Sequence, residues 1–344
     1  MKLKIALFLL FCMIMPTQSY AKARQGIVTI KINIAPQKES GNVKLWLPYP
    51  LSDEYQRIEN IKIEGNFNKS PAVYREPVSG SVYLFSEWED VVEEKILEFS
   101  FEAKAEERLE ERLFDKYKLK DLNNVELTVP VEIKNFLEST WWIPSDGEIK
   151  ELADKITEGR KGILEKSKAV YDWVVQNTFR DPSVKGCGLG IVQETLTKRS
   201  GKCADISSVY VALARAAGVP AREVFGLRLG KEPEQDITEG YHCWAEFYLP
   251  GTGWVQVDPA DVRKIMLSKG LTLEQAEEFN KYYFGAVDEY RIVLERGGRG
   301  IVFYPSQSSG PLNYFMYPYA EVDGEPLDYF DAEGFSYTVN FKVL

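Results

Sequence analysis

Histidine is almost missing from this chain: His242 is the one residue of its kind among 344. Any chemistry that needs an imidazole must run through that position. Cysteine is also sparse, four in all, too few for a scaffold built on disulfides. There is no excess of positive charge. The chain carries −10 at neutral pH, with its acidic residues dispersed, which argues against nucleic acid as the main partner. After the first residues no run is long and apolar enough to cross a bilayer. The sequence shows no internal repeat, no low-complexity tract and no D-x-D-x-D-G loop of the kind that binds calcium.

The start reads as a processing signal. Met1-Lys2-Leu3-Lys4 is cationic and Ile5 to Met15 is apolar, but the run is short for a membrane span. Pro16 and a polar stretch lead to Ala21-Lys22-Ala23, an A-x-A cleavage pattern. Residues 1–23 are therefore read as a signal peptide. The mature protein is then exported, periplasmic or extracellular, with no membrane insertion after cleavage; an uncleaved leader would tether it to the membrane. Cys12 leaves with the leader, and Cys187, Cys203 and Cys243 remain. An odd count admits a Cys187–Cys243 disulfide with Cys203 free, or two extra cysteines acting as small buried hydrophobes.

Periodicity divides the rest. From 24 to 135 the chain alternates like strands: Val28, Ile30, Ile32 and Ile34, then Val43, Leu45 and Leu47, then Val82 and Leu84. This suggests an antiparallel, sandwich-like β domain. From 136 to 268 the period changes. Ile149, Leu152, Ala153 and Ile156 fit one helix, and Ile163, Val170, Trp173 and Val174 fit a second that stops before Asp181-Pro182. Ser200 can cap a third helix with Cys203 in its first turn and Ile206, Val209, Tyr210, Leu213 and Ala217 on its buried stripe. Strands at 221–229, 241–249 and 254–257 follow, with a polar loop at 230–240 over the site. Helix followed by three strands gives an α+β core. Residues 269–344 read as a C-terminal extension with a polar helix at 272–282, further strands and an aromatic cluster from Tyr314 to Tyr319.

The core carries a thiol, an imidazole and a carboxylate in chain order: Cys203, His242 and Asp258. A cysteine in a first helical turn feels the positive end of the helix, which favours the thiolate that attacks carbonyls. An imidazolium beside it would stabilise that thiolate and could protonate a leaving amine, while Asp258 could orient the ring. Strand alternation puts His242 and Trp244 on one face and turns Cys243 away. A packed core histidine, or a structural zinc held by Cys187, Cys203, Cys243 and His242, is the competing reading.

Gly201-Lys202-Cys203-Ala204-Asp205, Leu213-Ala214-Arg215-Ala216-Ala217-Gly218-Val219-Pro220, His242-Cys243-Trp244-Ala245-Glu246 and Gly253-Trp254-Val255-Gln256-Val257-Asp258-Pro259 together resemble the transglutaminase-like superfamily. The resemblance spans roughly residues 149 to 262. It implies a papain-like α+β fold, a Cys203–His242–Asp258 catalytic triad, a protein or peptide substrate, and no metal or cofactor. It leaves open cross-linking, peptidase or amidase chemistry, and it includes members that keep the triad only as structure in a binding or assembly module. The Cys203 backbone N–H is the natural first oxyanion donor. Candidates for the second donor or for the cleft are Gln193, Lys198, Trp141 and Trp142, with Tyr241 and Trp244 shaping the pocket. Asp205 is read as complementing the helix dipole, and Gly186 to Gly190 as a loop that allows close approach near the cleft.

Overall fold

The computed structural model describes residues 22–35, 41–77, 79–91, 93–113 and 128–344. The leader lies outside them except for Lys22 and Ala23, and Ala23 opens the first strand. Six long or medium strands come first: β1 (Ala23–Ile34), β2 (Gly41–Pro48), β3 (Gln56–Gly65), β4 (Ala72–Arg75), β5 (Val82–Val91) and β6 (Lys95–Glu106). They divide between two five-stranded sheets that form a sandwich. Its core follows from strand alternation. Val28, Ile30, Ile32 and Ile34 of β1 and Leu97, Phe99 and Phe101 of β6 turn inward, toward Val43, Leu45 and Leu47 of β2.

A short β7 (Arg108–Leu109) leads to the helical part: α1 (Gly147–Ile156), α2 (Gly162–Asn177), β8 (Phe179–Arg180), α3 (Val192–Lys198), β9 (Ser200–Gly201) and α4 (Cys203–Ala216). Helix α4 is buried along almost its whole length, which explains its run of Ala, Val and Ser where an amphipathic surface helix would carry charge. Helices α1, α2 and α3 pack on it. Next come β10 (Ala221–Arg228), β11 (Glu234–Asp236), β12 (Tyr241–Leu249), β13 (Gly253–Val257), α5 (Pro259–Lys269), α6 (Glu277–Tyr282), β14 (Ala286–Val287) and β15 (Arg291–Arg296). The core sheet is antiparallel in the order β13-β12-β10-β15. Helices α3 and α5 are additions to the sequence reading, and the helix expected at 272–282 is regular only from Glu277.

The last strands, β16 (Tyr319–Val322), β17 (Glu325–Pro326) and β18 (Phe335–Val343), return to the sandwich. β18 pairs with β1 from Ile34↔Phe335 to Gly26↔Val343, and β16 pairs with β2. The stretch after Lys269 thus supplies one strand to the core sheet and three to the sandwich. The 230–240 loop is tied down as well, because β11 pairs with the outer edge of β18. The aromatic cluster divides. Phe315 and Tyr319 pack with Trp46, Tyr83, Phe85 and Phe303, whereas Tyr317 faces a cleft between core and sandwich. No helix among the described residues is long and apolar enough to cross a membrane.

Candidate active site

Cys203 is the first residue of α4, at the positive end of the helix. The turn that presents it is held by Asp205. One carboxylate oxygen accepts the Lys202 N–H at 2.9 Å and the other accepts the Gly190 N–H at 2.8 Å. Asp205 therefore does more than complement the dipole: it staples the 186–190 loop to the helix start. Gly188 has φ +88°, and a Cβ there would collide with that carboxylate, so only glycine fits. The Cys187 carbonyl in the same loop accepts the Ala204 N–H at 2.9 Å.

His242 comes from the second position of β12, and Asp258 from the end of β13, where it also caps α5. His242 Nε2 lies 2.7 Å from Asp258 Oδ2. The other ring nitrogen is free of Asp258, and Cys203 lines the same cleft, where the imidazole favours its thiolate. Asp258 holds two further donors: its Oδ1 accepts the Asp261 N–H at 2.8 Å, and its Oδ2 also accepts Arg291 Nη1. Arg291 bridges on to Asp261 at 2.7 Å and Asp288 at 3.0 Å, and Arg228 pairs with Asp261. None of Arg228, Asp261, Asp288 and Arg291 was picked out as a site residue from the sequence. Asp258-Pro259 was legible as a helix start, with an N-cap carboxylate and proline at N1, and Asp261 would then have fallen in the first turn. Arg291 sits in an ordinary alternating strand and carries no local signal.

The charges act together. The Cys203 thiol is held well below the ordinary thiol range, first by the neighbouring Cys187 thiol, then by Cys243, then by His242, all against burial; in the resting geometry Cys187 donates to the Tyr241 carbonyl at 3.4 Å. Cys187 is pushed up by its closeness to Cys203, and burial pushes Cys243 up. For His242, burial and Arg228 favour the neutral ring, but Asp258 and Asp261 outweigh them and raise its pKa. The arrangement favours a thiolate–imidazolium pair.

All three cysteines are free, including the candidate bonded pair Cys187 and Cys243. Their sulfurs lie within 4.8 Å of one another. This corrects the expectation that Cys243 turns away. Helix α4 shares a hydrophobic cluster with Cys243, Ala245 and Phe247, while Trp244 packs on the other side with Val224, Val287 and Val293. His242 reaches Cys203 from near the start of the strand. The three sulfurs form one group of atoms close enough to ligate a soft metal, and His242, Asp258 and Asp261 form another.

Cys203 and His242, 2% and 3% exposed, line a cleft of about 660 Å³. Tyr241 lines it too. Trp244 does not: it is fully buried beside the imidazole, rings 6.1 Å apart, and donates to Gln256 at 2.7 Å. Gln193, Trp141 and Trp142 border a separate cavity of about 670 Å³. Lys198 forms a solvent-exposed pair with Glu194. Gln193, Trp141 and Trp142 thus line a different cavity from the thiol, and Lys198 lines neither.

Comparison with known proteins agrees with this geometry. Residues 150–259 match the transglutaminase-like superfamily. An uncharacterized protein of Haemophilus influenzae is 36% identical over 334 residues, covering 90% of this chain and 89% of its own length. A protein-glutamine gamma-glutamyltransferase of Pseudomonas aeruginosa is 38% identical over 66 residues, 18% of this chain and 10% of that protein. Among solved structures, a candidate cysteine protease from Cytophaga hutchinsonii shares the fold with a TM-score of 0.54 at 17% identity, over 93% of this chain and all of that one. With Cys203 at the start of a helix packed against the antiparallel sheet that presents His242 and Asp258, the chain belongs to the transglutaminase-like superfamily.

Proposed function

We propose that this chain is an exported thiol enzyme that acts on amide or peptide bonds through an acyl-enzyme intermediate. The observation that carries the reading is a thiol at a helix N-terminus that shares the wall of an open cleft with an imidazole held 2.7 Å from Asp258. The Cys203 thiolate attacks the substrate carbonyl carbon. The Cys203 backbone N–H, at a helix start without an intrahelical acceptor, faces the developing oxyanion. The imidazolium gives its proton to the departing amine, leaving a thioester and a neutral ring. That ring then takes a proton from water, giving an acid, or from an amine, giving a new amide.

Hydrolysis is the preferred outcome, because water needs no second binding site. The name of the Pseudomonas relative keeps transfer to an amine as the runner-up. The competing role, a binding or assembly module that keeps the triad only as structure, suits a sealed thiol; the cleft reaching Cys203 speaks against it. The leader-like residues 1–23 support export.

The test is alkylation of Cys203 against pH, mapped by mass spectrometry in the unaltered protein and in His242→Ala. Rapid modification near pH 6 that slows at least tenfold in the variant supports the enzyme. An ordinary thiol profile, with pKa about 8.5 in both, rejects it in favour of the binding module.

A further inference from the structure

The chain is acidic overall, yet the cleft wall is cationic. Arg180, Lys202, Arg228 and Lys264 line it, against one carboxylate, Glu239. Arg228 is already committed to Asp261. Arg180, Lys202 and Lys264 form no ion pair among the described residues, and Arg180 Nη1 is enclosed without an acceptor. Asp181 lies near Lys202, but its carboxylate is engaged by Ser183. The three arrive from separate elements. Arg180 is in β8, Lys202 caps α4 next to the nucleophile, and Lys264 is in α5, which packs on β8. Unpaired cations held together repel one another and are poorly hydrated when partly enclosed, so a ligand that neutralises them is favoured. The mutual repulsion is visible at Lys264. Enclosure, then Arg228 and Arg180, lower its pKa, and Asp261 and the Cys203 thiolate only partly compensate.

Resting on the thiol-enzyme reading above, we propose that the cleft binds a free carboxylate on the acyl-donor substrate, held by Lys264, Arg180 and Lys202 beside the scissile amide. The substrate class is then an acidic amide, such as a peptide with an unblocked carboxylate next to the bond to be broken. The opposite wall carries Tyr317, Tyr329, Phe330 and Tyr337. Tyr317 stacks on Tyr329 at 4.8 Å, offering that substrate an apolar surface. A carboxylate placed near the Cys203 thiolate would ordinarily be repelled, and the three cations cancel that repulsion. Phosphate esters and nucleic acids suit the site less, since the aromatic wall and Glu239 narrow the positive zone to one group.

Two alkylating agents of nearly equal size test this: iodoacetate, which carries a carboxylate, and iodoacetamide, which does not. Each transfers its methylene carbon to Cys203 Sγ and releases iodide. Rates are measured in the full chain and in Lys264→Met, Arg180→Met and Lys264→Arg. The expected result is that Lys264→Met and Arg180→Met each slow iodoacetate about five- to tenfold more than iodoacetamide. Lys264→Arg should restore the preference, and 0.5 M salt should weaken it. If both reagents slow equally, the cations serve the thiolate and the carboxylate site is refuted. If both react quickly and no variant separates them, the site is refuted while the enzyme reading stands. If Cys203 in the unaltered protein is inert to both, the enzyme reading fails and the subsite with it.

Discussion

Replacing Asp258 with asparagine tests the chain of reasoning at its most exposed link. The aspartate accepts from His242 Nε2, from Arg291 and from the Asp261 N–H. An amide has one acceptor oxygen and one NH₂, so one of these donors must face another donor. If the amide oxygen keeps Arg291, the imidazolium loses its countercharge; if the NH₂ turns to the ring, the neutral tautomer reverses. A hydrogen bond to a charged group contributes about 1.5–3 kcal/mol, and each pKa unit corresponds to about 1.4 kcal/mol. The His242 pKa should therefore fall by roughly one to two units, and the ratio of thiolate–imidazolium to thiol–imidazole by about 10- to 100-fold. The sign is definite. The raised pKa of His242 and the lowered pKa of Cys203 keep the proton on the ring; the asparagine substitution returns it to the sulfur, and the thiolate reappears only at alkaline pH, where the thiol ionises on its own. Iodoacetamide labelling of Cys203 in Asp258→Asn should slow 10- to 100-fold near pH 6 and approach the unaltered rate above pH 9. The variant should still fold, because Arg291 keeps Asp261 and Asp288 as partners. A pH profile superimposable on that of the unaltered protein, with folding intact by thermal melting, would refute the triad electrostatics.

Cys187→Ala removes the thiol that does most to lower the Cys203 pKa. Because a thiol is a weak donor, we expect labelling at pH 6 to slow only about two- to fivefold, and a larger loss than in Asp258→Asn would show that Cys187, rather than the His242–Asp258 pair, governs the thiolate. Gly188→Ala, at φ +88° against the Asp205 carboxylate, should cost about 2–4 kcal/mol and slow Cys203 labelling. Gly147→Ala, also at positive φ but with open space, should cost about 1–2 kcal/mol and leave labelling alone. Burial raises the Glu295 carboxyl to about 7, so the folded state holds this proton more tightly than the unfolded chain does. Its stabilisation is complete below the unfolded value of 4.5 and is lost as pH rises through about 7. Glu295→Gln keeps an acceptor for the Gly298 N–H and should gain about 1–3 kcal/mol over the unaltered protein at pH 8. At pH 4.5 the gain should be near zero; equal changes in melting temperature at both pH values would rule this out.

The sequence by itself singled out the three residues of the Cys-His-Asp cluster, because each is marked locally. Cys203 opens a helix, His242 lies in a strand as the lone histidine, and Asp258 closes a strand before proline. It also determined the inward faces of β1 and β6, since strand side chains alternate whatever the strand pairs with. Tertiary structure alone decided the rest. Strand pairing across some 300 residues, Ile34↔Phe335 at its nearest, brings Tyr317, Tyr329, Phe330 and Tyr337 to the cleft, and no local period encodes a partner that distant. Arg291 meets Asp258 only because β15 borders β10. Cys243 meets Cys203 because α4 packs on the strand face that alternation assigns to it, a choice between two faces that periodicity leaves open. The unpaired charges of Arg180, Lys202 and Lys264 become a site only once three separate elements bring them to one wall.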